Sequence, residues 1–184
     1  MKEQGILHNY QTVLKFLLIC WALFFLEHLY PLSHLGIIPR TRQGLIGILT
    51  SPFLHGDLNH LISNSSGLLI FGFGLALANK QNFLKVSLKI IIIGGVLTWC
   101  FGRPAIHIGA SGLIFGLFGH LSCIGFFQKK IKFIFVSLLT IFLYGGMILG
   151  VLPTKAHISF EAHLFGFFAG LLTARSQAKA LRNS

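Results

Sequence analysis

The stretch GASGLIFGLFGHLSCIGFF, residues 109–127, contains no acidic residue, lysine or arginine. A helix that crosses a bilayer needs about 20 largely apolar residues, so the run that begins at Ser111 predicts a membrane-spanning helix over residues 111–127. The small and polar step GASG opens this run. We therefore expect Ser111 at the helix N-terminus, where unpaired backbone N–H groups and the positive end of the helix dipole gather.

Similar apolar runs fill the rest of the chain. Of its 184 residues, 54% are hydrophobic and only 10% are charged, whereas a soluble domain carries about 25% charged residues. The mean hydropathy of +0.77 indicates that lipid is the solvent for most of the surface. We predict an all-α membrane protein, a six-helix bundle that forms a single domain over residues 1–184. The six predicted spans cover residues 13–30, 58–78, 83–101, 111–127, 133–150 and 159–174.

Charge predicts the orientation of these spans. The formal net charge is +11, from 15 lysines and arginines against four acidic residues. The cations are scattered between apolar runs, so nucleic acid is not expected as a partner. With a cytoplasmic N-terminus, 11 cations lie inside, and those outside are Arg40, Arg42, Arg103 and Lys155. Because cytoplasmic loops are enriched in lysine and arginine, we predict that both termini are cytoplasmic.

Polar side chains are concentrated in three of the predicted spans. His60 and Asn64 lie in the first turns of the second span, with His55 just before it. Ser111 opens the fourth span, and His163 lies about one turn into the sixth. All three spans run inwards from the outer side, so these residues converge at one level near the outer leaflet. Polar groups at membrane depth are costly and mark functional sites.

This group has the chemistry of a serine hydrolase. A serine hydroxyl becomes a strong nucleophile when a base takes its proton, and His163 is the candidate base for Ser111. His60 and Asn64 share one helix face and can donate hydrogen bonds to the oxyanion that forms on attack. Glu161 lies two residues from His163 and points to another face of the helix. We therefore predict a Ser–His dyad without a carboxylate.

Glycine spacing predicts how the dyad is brought together. Gly112 and Gly116 follow the serine, and Gly166 and Gly170 follow the histidine. Each pair has GxxxG spacing, which lets helix backbones approach closely. We expect the fourth and sixth spans to pack against each other. Phe115, one turn after the serine, is a candidate to stack on the histidine ring.

Three blocks of the sequence resemble the rhomboid family of intramembrane serine proteases. They are HGDLNHLISN at residues 55–64, GASG at residues 109–112 and AHLFGFFAG at residues 162–170. The blocks lie in the family's order and spacing, and the six spans account for nearly the whole chain.

The resemblance implies a Ser111–His163 dyad, with the oxyanion stabilised by His60, Asn64 and the backbone N–H of Ser111. It also implies a water-filled cavity that opens outwards, and substrates that are transmembrane helices embedded in the same bilayer. No cofactor is expected, and the histidines form no HExxH zinc motif. We assign supporting roles to His55, Gly109, Gly112, Phe115, Gly166 and Gly170.

The chain departs from the family pattern at two points. Many bacterial rhomboids carry a tyrosine at the position of Phe115, so the stacking surface is kept but the phenolic hydroxyl is missing. The outer loop over residues 31–52 lacks the Trp-Arg pair that is often found there. These departures concern loop structure and substrate gating rather than the dyad.

Two other functions are compatible with an apolar bundle of this kind. A catalytically silent rhomboid-like protein would bind or escort membrane helices, and such relatives usually lose the serine or the histidine. A small channel or transporter would need a polar path across the membrane, whereas the polar residues here stop near the outer leaflet. The compact plan indicates a protease of a bacterial inner membrane, with the active site open to the outer side.

Overall fold

The computed structural model describes residues 2–78, 83–152 and 159–182, and this part of the chain is all-α apart from one isolated β-bridge. The helices in chain order are α1 (Lys2–Glu27), α2 (Gly47–Thr50), α3 (Leu58–Ala78), α4 (Phe83–Phe101), α5 (Ser111–Gln128), α6 (Ile131–Tyr144) and α7 (Phe160–Arg182). Short 3-10 helices lie at Ser33–Leu35, Gln43–Leu45 and Ser51–Phe53, and a fourth, Gly145–Val151, continues α6.

Five helical segments are long and apolar enough to cross a bilayer. They are Ile6–Glu27, Leu58–Ala78, Phe83–Phe101, Ser111–Gln128 and Ile131–Val151. The predicted sixth span corresponds to α7, which is 23 residues long but less apolar than the other five. Its membrane crossing stays a prediction.

The predicted boundaries agree with the structure in the middle of the chain. The spans predicted at residues 58–78 and 83–101 coincide with α3 and α4, and α5 ends one residue beyond the predicted limit, at Gln128. The span predicted at residues 133–150 is α6 with its 3-10 continuation. The change from α to 3-10 geometry begins at Gly145, which is followed by a second glycine, and glycine is a poor helix former.

The first and last helices differ in length from the spans predicted for them. α1 begins at Lys2, well before residue 13, and its buried Asn9 accepts a hydrogen bond from the backbone N–H of Phe83 (2.9 Å). α1 ends at Glu27 rather than residue 30. α7 continues to Arg182, beyond the predicted limit at residue 174. Hydropathy identifies only the part of a helix that suits lipid, and these extensions are held by polar contacts or helix packing.

α5 lies at the centre of the bundle, and its most extensive contact is with α7. A side chain at Gly166 or Gly170 of α7 would overlap the carbonyl oxygen of Gly112 or Gly116 of α5. A side chain at Gly119 would lie 2.6 Å from the carbonyl oxygen of Phe167. The two backbones are therefore in direct contact over more than two helical turns, as the glycine spacing predicted.

The loop between α1 and α3 is folded onto the connection from α4 to α5. The backbones of Ile37 and His107 exchange two hydrogen bonds, at 3.0 and 2.9 Å. The Arg40 guanidinium donates to the carbonyl oxygen of Gly102 (2.8 Å), and its backbone N–H donates to the carbonyl oxygen of Trp99 (3.0 Å). These hydrogen bonds of Arg40 hold the loop, which lacks the family's Trp-Arg pair, against the end of α4.

We predict that Gly166→Ala lowers the free energy of unfolding by about 1–3 kcal/mol, because overpacking a close-packed interface costs this much. Gly74→Ala is the matched control, since its new methyl would lie 3.5 Å from Leu121 in ordinary van der Waals contact. The control is expected to leave stability unchanged or raise it by up to about 1 kcal/mol, the helix-propensity gain. Both are measured by denaturation of the purified protein in detergent, and equal stabilities would mean that α5 and α7 tolerate separation.

Candidate active site

The turn before Ser111 is shaped by Gly109. Its φ of +113° lies in the region that favours glycine, and a side chain there would lie 2.5 Å from the His60 ring. Its backbone N–H donates to the carbonyl oxygen of Ser51 (2.9 Å). Ser111 is the first residue of α5, so its own N–H belongs to the first turn, which has no partner within the helix. This turn is therefore a place where an anion can bind.

The start of α3 brings the side chains of His60 and Asn64 to the turn that precedes Ser111. Asp57 caps the helix, because its Oδ1 accepts a hydrogen bond from the backbone N–H of His60 (2.8 Å). One turn later, Asn64 is buried, and its Nδ2 lies 3.3 Å from where a Cβ of Gly109 would be. That Nδ2 makes no hydrogen bond to the described residues. Asn64 therefore holds an unused donor beside the start of α5.

His163 is held by two contacts. Its ring is stacked on Phe115, with centroids 4.1 Å apart and planes 6° from parallel. Its Nδ1 lies 2.8 Å from the carbonyl oxygen of Gly150, at the end of the 3-10 helix that follows α6. A carbonyl can only accept a hydrogen bond, so Nδ1 carries a proton, and in the neutral ring Nε2 then keeps its lone pair. Nε2 is therefore the nitrogen that can act as a base.

The serine end of α5 and the histidine turn of α7 are neighbours. Ser111 lies one turn before Phe115 on the same face of α5, and Phe115 contacts His163. Next to the serine, a Cβ at Gly112 would lie 3.3 Å from the carbonyl oxygen of Ala162. Within the described residues, the Ser111 hydroxyl makes no hydrogen bond. Catalytic hydrogen bonds often form only when substrate is bound.

The first turn of α7 is fixed by a network that the sequence did not reveal. The Ser159 hydroxyl oxygen accepts a hydrogen bond from the Ala162 N–H (3.3 Å), as a helix cap does, and the hydroxyl donates to Nδ1 of His107 (2.6 Å). His107 Nε2 donates in turn to the carbonyl oxygen of Arg103 (3.1 Å). Burial lowers the pKa of His107, which favours this neutral tautomer.

An ion pair adds to this network. Buried Glu161 lies 3.5 Å from Nε of Arg103 and also accepts a hydrogen bond from the Arg103 backbone N–H (3.3 Å). The Arg103 guanidinium lies 5.6 Å from the centroid of the Phe160 ring, a cation–π contact. Glu161 and Phe160 both lie just before His163 in the sequence. Arg103, in the connection from α4 to α5, therefore holds the helical turn that carries His163.

A small cavity of about 40 Å³ lies behind the serine turn. Its wall includes Gly109, Gly112 and Ala162, and its polar lining comes from Ser51, Thr98 and His107. A cavity of this size can hold a water molecule when polar partners are present.

No group of three histidine, cysteine or acidic side chains in the described part of the chain is arranged to hold a metal ion.

Comparison with known proteins identifies the family. The sequence matches the Rhomboid domain over residues 42–179. It is 36% identical over 174 residues to an uncharacterized protein of Mycobacterium tuberculosis, covering 89% of this chain and 72% of that protein. A Bacillus subtilis protein described as a candidate rhomboid protease is 32% identical over 129 residues, or 68% of this chain and 63% of that protein. RHOMBOID-like protein 4 of Arabidopsis thaliana is 31% identical over 131 residues, or 68% of this chain and 32% of that protein.

The apolar helices and the family match together define a multi-pass integral membrane protein. The chain belongs to the rhomboid family, as its three sequence blocks indicated. Family membership supports a rhomboid-type function.

We predict that acid destabilises the fold through His55, which lies in the loop before α3. Burial, helped by neighbouring His60, lowers the pKa of His55 from 6.5 to about 4. Between these values the unfolded chain binds a proton that the folded chain does not. The stabilisation is therefore complete above pH 6.5 and is lost as the pH falls towards 4, by up to about 3 kcal/mol.

Thermal unfolding in detergent as a function of pH measures this effect. His55→Phe cannot bind the proton, so its stability should fall less steeply with acid than that of the unmodified protein. His34→Phe, which changes an exposed loop histidine, is the matched control and should keep the original slope. An unchanged slope in His55→Phe would assign the acid response to other groups.

Proposed function

We propose that this chain is an intramembrane serine endopeptidase, with Ser111 as the nucleophile and His163 as the base. The observation that supports this most directly is the state of the His163 ring. The Gly150 carbonyl fixes the proton on Nδ1 and leaves Nε2 with a lone pair. The ring is also stacked on Phe115, which lies one helical turn after Ser111 on α5, and this supports a position close to the serine.

The proposed reaction proceeds through an acyl-enzyme. Ser111 Oγ attacks the peptide carbonyl carbon as its proton passes to Nε2 of His163. The oxyanion accepts hydrogen bonds from the Ser111 N–H, His60 and Asn64 Nδ2. The C–N bond then breaks, and the departing amine takes the proton from His163. A water molecule attacks the ester with His163 again as base, which releases the new carboxyl end and restores the serine.

The proposed substrates are membrane proteins cleaved within a transmembrane helix near the outer leaflet. Hydrogen bonds of an intact helix shield its carbonyl groups, so the substrate must unwind locally before it reaches Ser111. We expect a preference for small or helix-breaking residues at the cleavage site. In the proposed arrangement α7 is the sixth span, residues 1–184 form one domain, both termini are cytoplasmic, and the protein resides in a bacterial inner membrane.

A first prediction is that a fluorophosphonate probe labels Ser111 covalently. Labelling should be lost in Ser111→Ala, which removes the nucleophile, and in His163→Ala, which removes the base. Ser122→Ala, a change in the same helix, is the control and should label like the unmodified protein. In-gel fluorescence of purified protein measures the result.

The same experiment addresses the alternative of a catalytically silent protein that binds membrane helices. That alternative is favoured by one observation, the absence of a hydrogen bond from the Ser111 hydroxyl to any described residue. Such a protein would bind a transmembrane peptide without reacting with the probe. Absent labelling in a folded, peptide-binding protein would therefore reject the protease and support the alternative.

A second prediction separates the oxyanion site from the dyad. Asn64→Ala should lower kcat for a transmembrane substrate by about 10²–10³-fold, the effect of removing one oxyanion donor, while Ser111 still reaches full labelling at longer times. Asn59→Ala, an exposed asparagine of the same helix, should leave kcat unchanged. Unchanged turnover in Asn64→Ala, or complete loss of labelling in a folded variant, would contradict this role.

A further inference from the structure

The two ends of the bundle differ in charge. α1, α4 and α6 run towards the Ser111 end, and α3, α5 and α7 run away from it. Glu27, Asp57 and Glu161 all lie at the Ser111 end, where Glu161 pairs with Arg103. At the opposite end, Glu3 is the one acidic residue of the sequence, and the cations with described side chains there are Lys85, Lys89, Lys129, Lys130, Lys132, Arg175 and Lys179.

A cleft of about 660 Å³ lies within this basic end, between the last turn of α5 and the second half of α7. Its wall on α7 includes buried Ala178 and four exposed residues, Leu172, Arg175, Ser176 and Lys179. The four exposed residues are spaced as i, i+3, i+4 and i+7, so they form a single helix face. On α5 the wall is Phe127. The cleft therefore combines an apolar part with a strongly cationic part.

The order of these residues along α7 matches the depth profile of a phospholipid. With a rise of 1.5 Å per residue, Arg175 lies about 4.5 Å and Lys179 about 10 Å beyond Leu172 along the helix axis. The apolar side chains thus lie towards the middle of the bundle, where acyl chains are, and the cations lie towards the helix end, where phosphates are. An acidic peptide or a nucleic acid would match the cations but not the apolar part.

The cations of the cleft have no protein partner in the described part of the chain. Neither Arg175 nor Lys179 forms an ion pair there. The nearby corner from α5 to α6 adds three exposed lysines, and the backbone N–H of the first, Lys129, donates to the carbonyl oxygen of Gly125 (2.9 Å). A side chain at Gly125 would lie 2.6 Å from the carbonyl oxygen of Phe133. A basic surface beside a membrane attracts anionic headgroups, by about 1 kcal/mol for each lysine or arginine near the membrane surface.

We propose that this cleft binds the headgroup of an anionic phospholipid, with the phosphate held by Arg175 and Lys179 and the acyl chain lying against Leu172 and Phe127. Arginine suits this role because its guanidinium can form two parallel hydrogen bonds to a phosphate. Basic pockets between transmembrane helices are known sites for such headgroups. The site lies at the end of the bundle opposite Ser111 and does not depend on proteolysis.

Native mass spectrometry of the full-length protein, released from zwitterionic detergent, tests this proposal with cardiolipin, phosphatidylglycerol and phosphatidylcholine. The unmodified protein should retain both anionic lipids more strongly than phosphatidylcholine. The double variant Arg175→Gln/Lys179→Gln should bind cardiolipin about tenfold or more weakly, as expected for two lost contacts to an anionic lipid. Lys85→Gln/Lys89→Gln removes the same charge from an exposed i, i+4 pair of α4 and should stay within about twofold.

Several outcomes would overturn the proposal. Equal loss in both double variants would mean that general surface charge attracts the lipid. Equal retention of phosphatidylcholine and the anionic lipids would mean that no headgroup is recognised, and displacement by excess inorganic phosphate would identify a free-anion site. Ser176→Glu places a carboxylate in the cleft and serves if the double variant does not fold. Unchanged binding of anionic lipid by folded Ser176→Glu would also reject the site.

Discussion

The direct contact of two helix backbones, α5 against α7, is the constraint on which the rest of this structure depends. Lipid is as apolar as the helices, so no hydrophobic force drives them together, and close packing of small residues must do so. Gly112 and Gly116 present carbonyl oxygens where Gly166 and Gly170 have no side chain. Because this contact begins beside Ser111 and His163, the spacing that holds the bundle together also sets the spacing of the candidate dyad.

The carbonyl of Gly150 orients the His163 ring without placing a second charge beside it. A soluble serine protease orients its histidine with a buried carboxylate, but a second buried charge beside His163 would cost several kcal/mol in lost hydration. A backbone carbonyl accepts a hydrogen bond from the same Nδ1–H and carries no net charge. It selects one tautomer and offers no charge to stabilise an imidazolium. The position of the candidate base then depends on the 3-10 helix that continues α6, whose Gly150 contacts both Phe115 and His163.

The sequence predicted the α5–α7 contact and the convergence of the polar side chains, because side-chain size and hydropathy carry that information. It did not identify Gly150, since a carbonyl is present at every residue and only the fold decides which one lies near an imidazole. The sequence also did not predict the ion pair and hydrogen bonds that Arg103, His107 and Ser159 form around the start of α7. These residues lie in loops, where no periodicity indicates a partner. The early start of α1 was missed for a related reason, since its Asn9 contact to α4 is polar and distant in sequence.

α7 makes the most extensive contact with α5, and it shows why mean hydropathy is a poor guide to a helix that packs inside a bundle. Its first turns carry Glu161 and His163, which have partners within the protein, and its last turns carry Arg175 and Lys179, which have none among the described residues. The polar residues at both ends lower its mean hydropathy, so α7 is not among the helices that are apolar enough to cross a bilayer by composition alone. Yet the middle of the same helix is in direct backbone contact with α5 through Gly166 and Gly170. A helix whose surface is largely covered by protein does not need to be soluble in lipid along its whole length, so polar residues at its two ends are compatible with its place in the bundle.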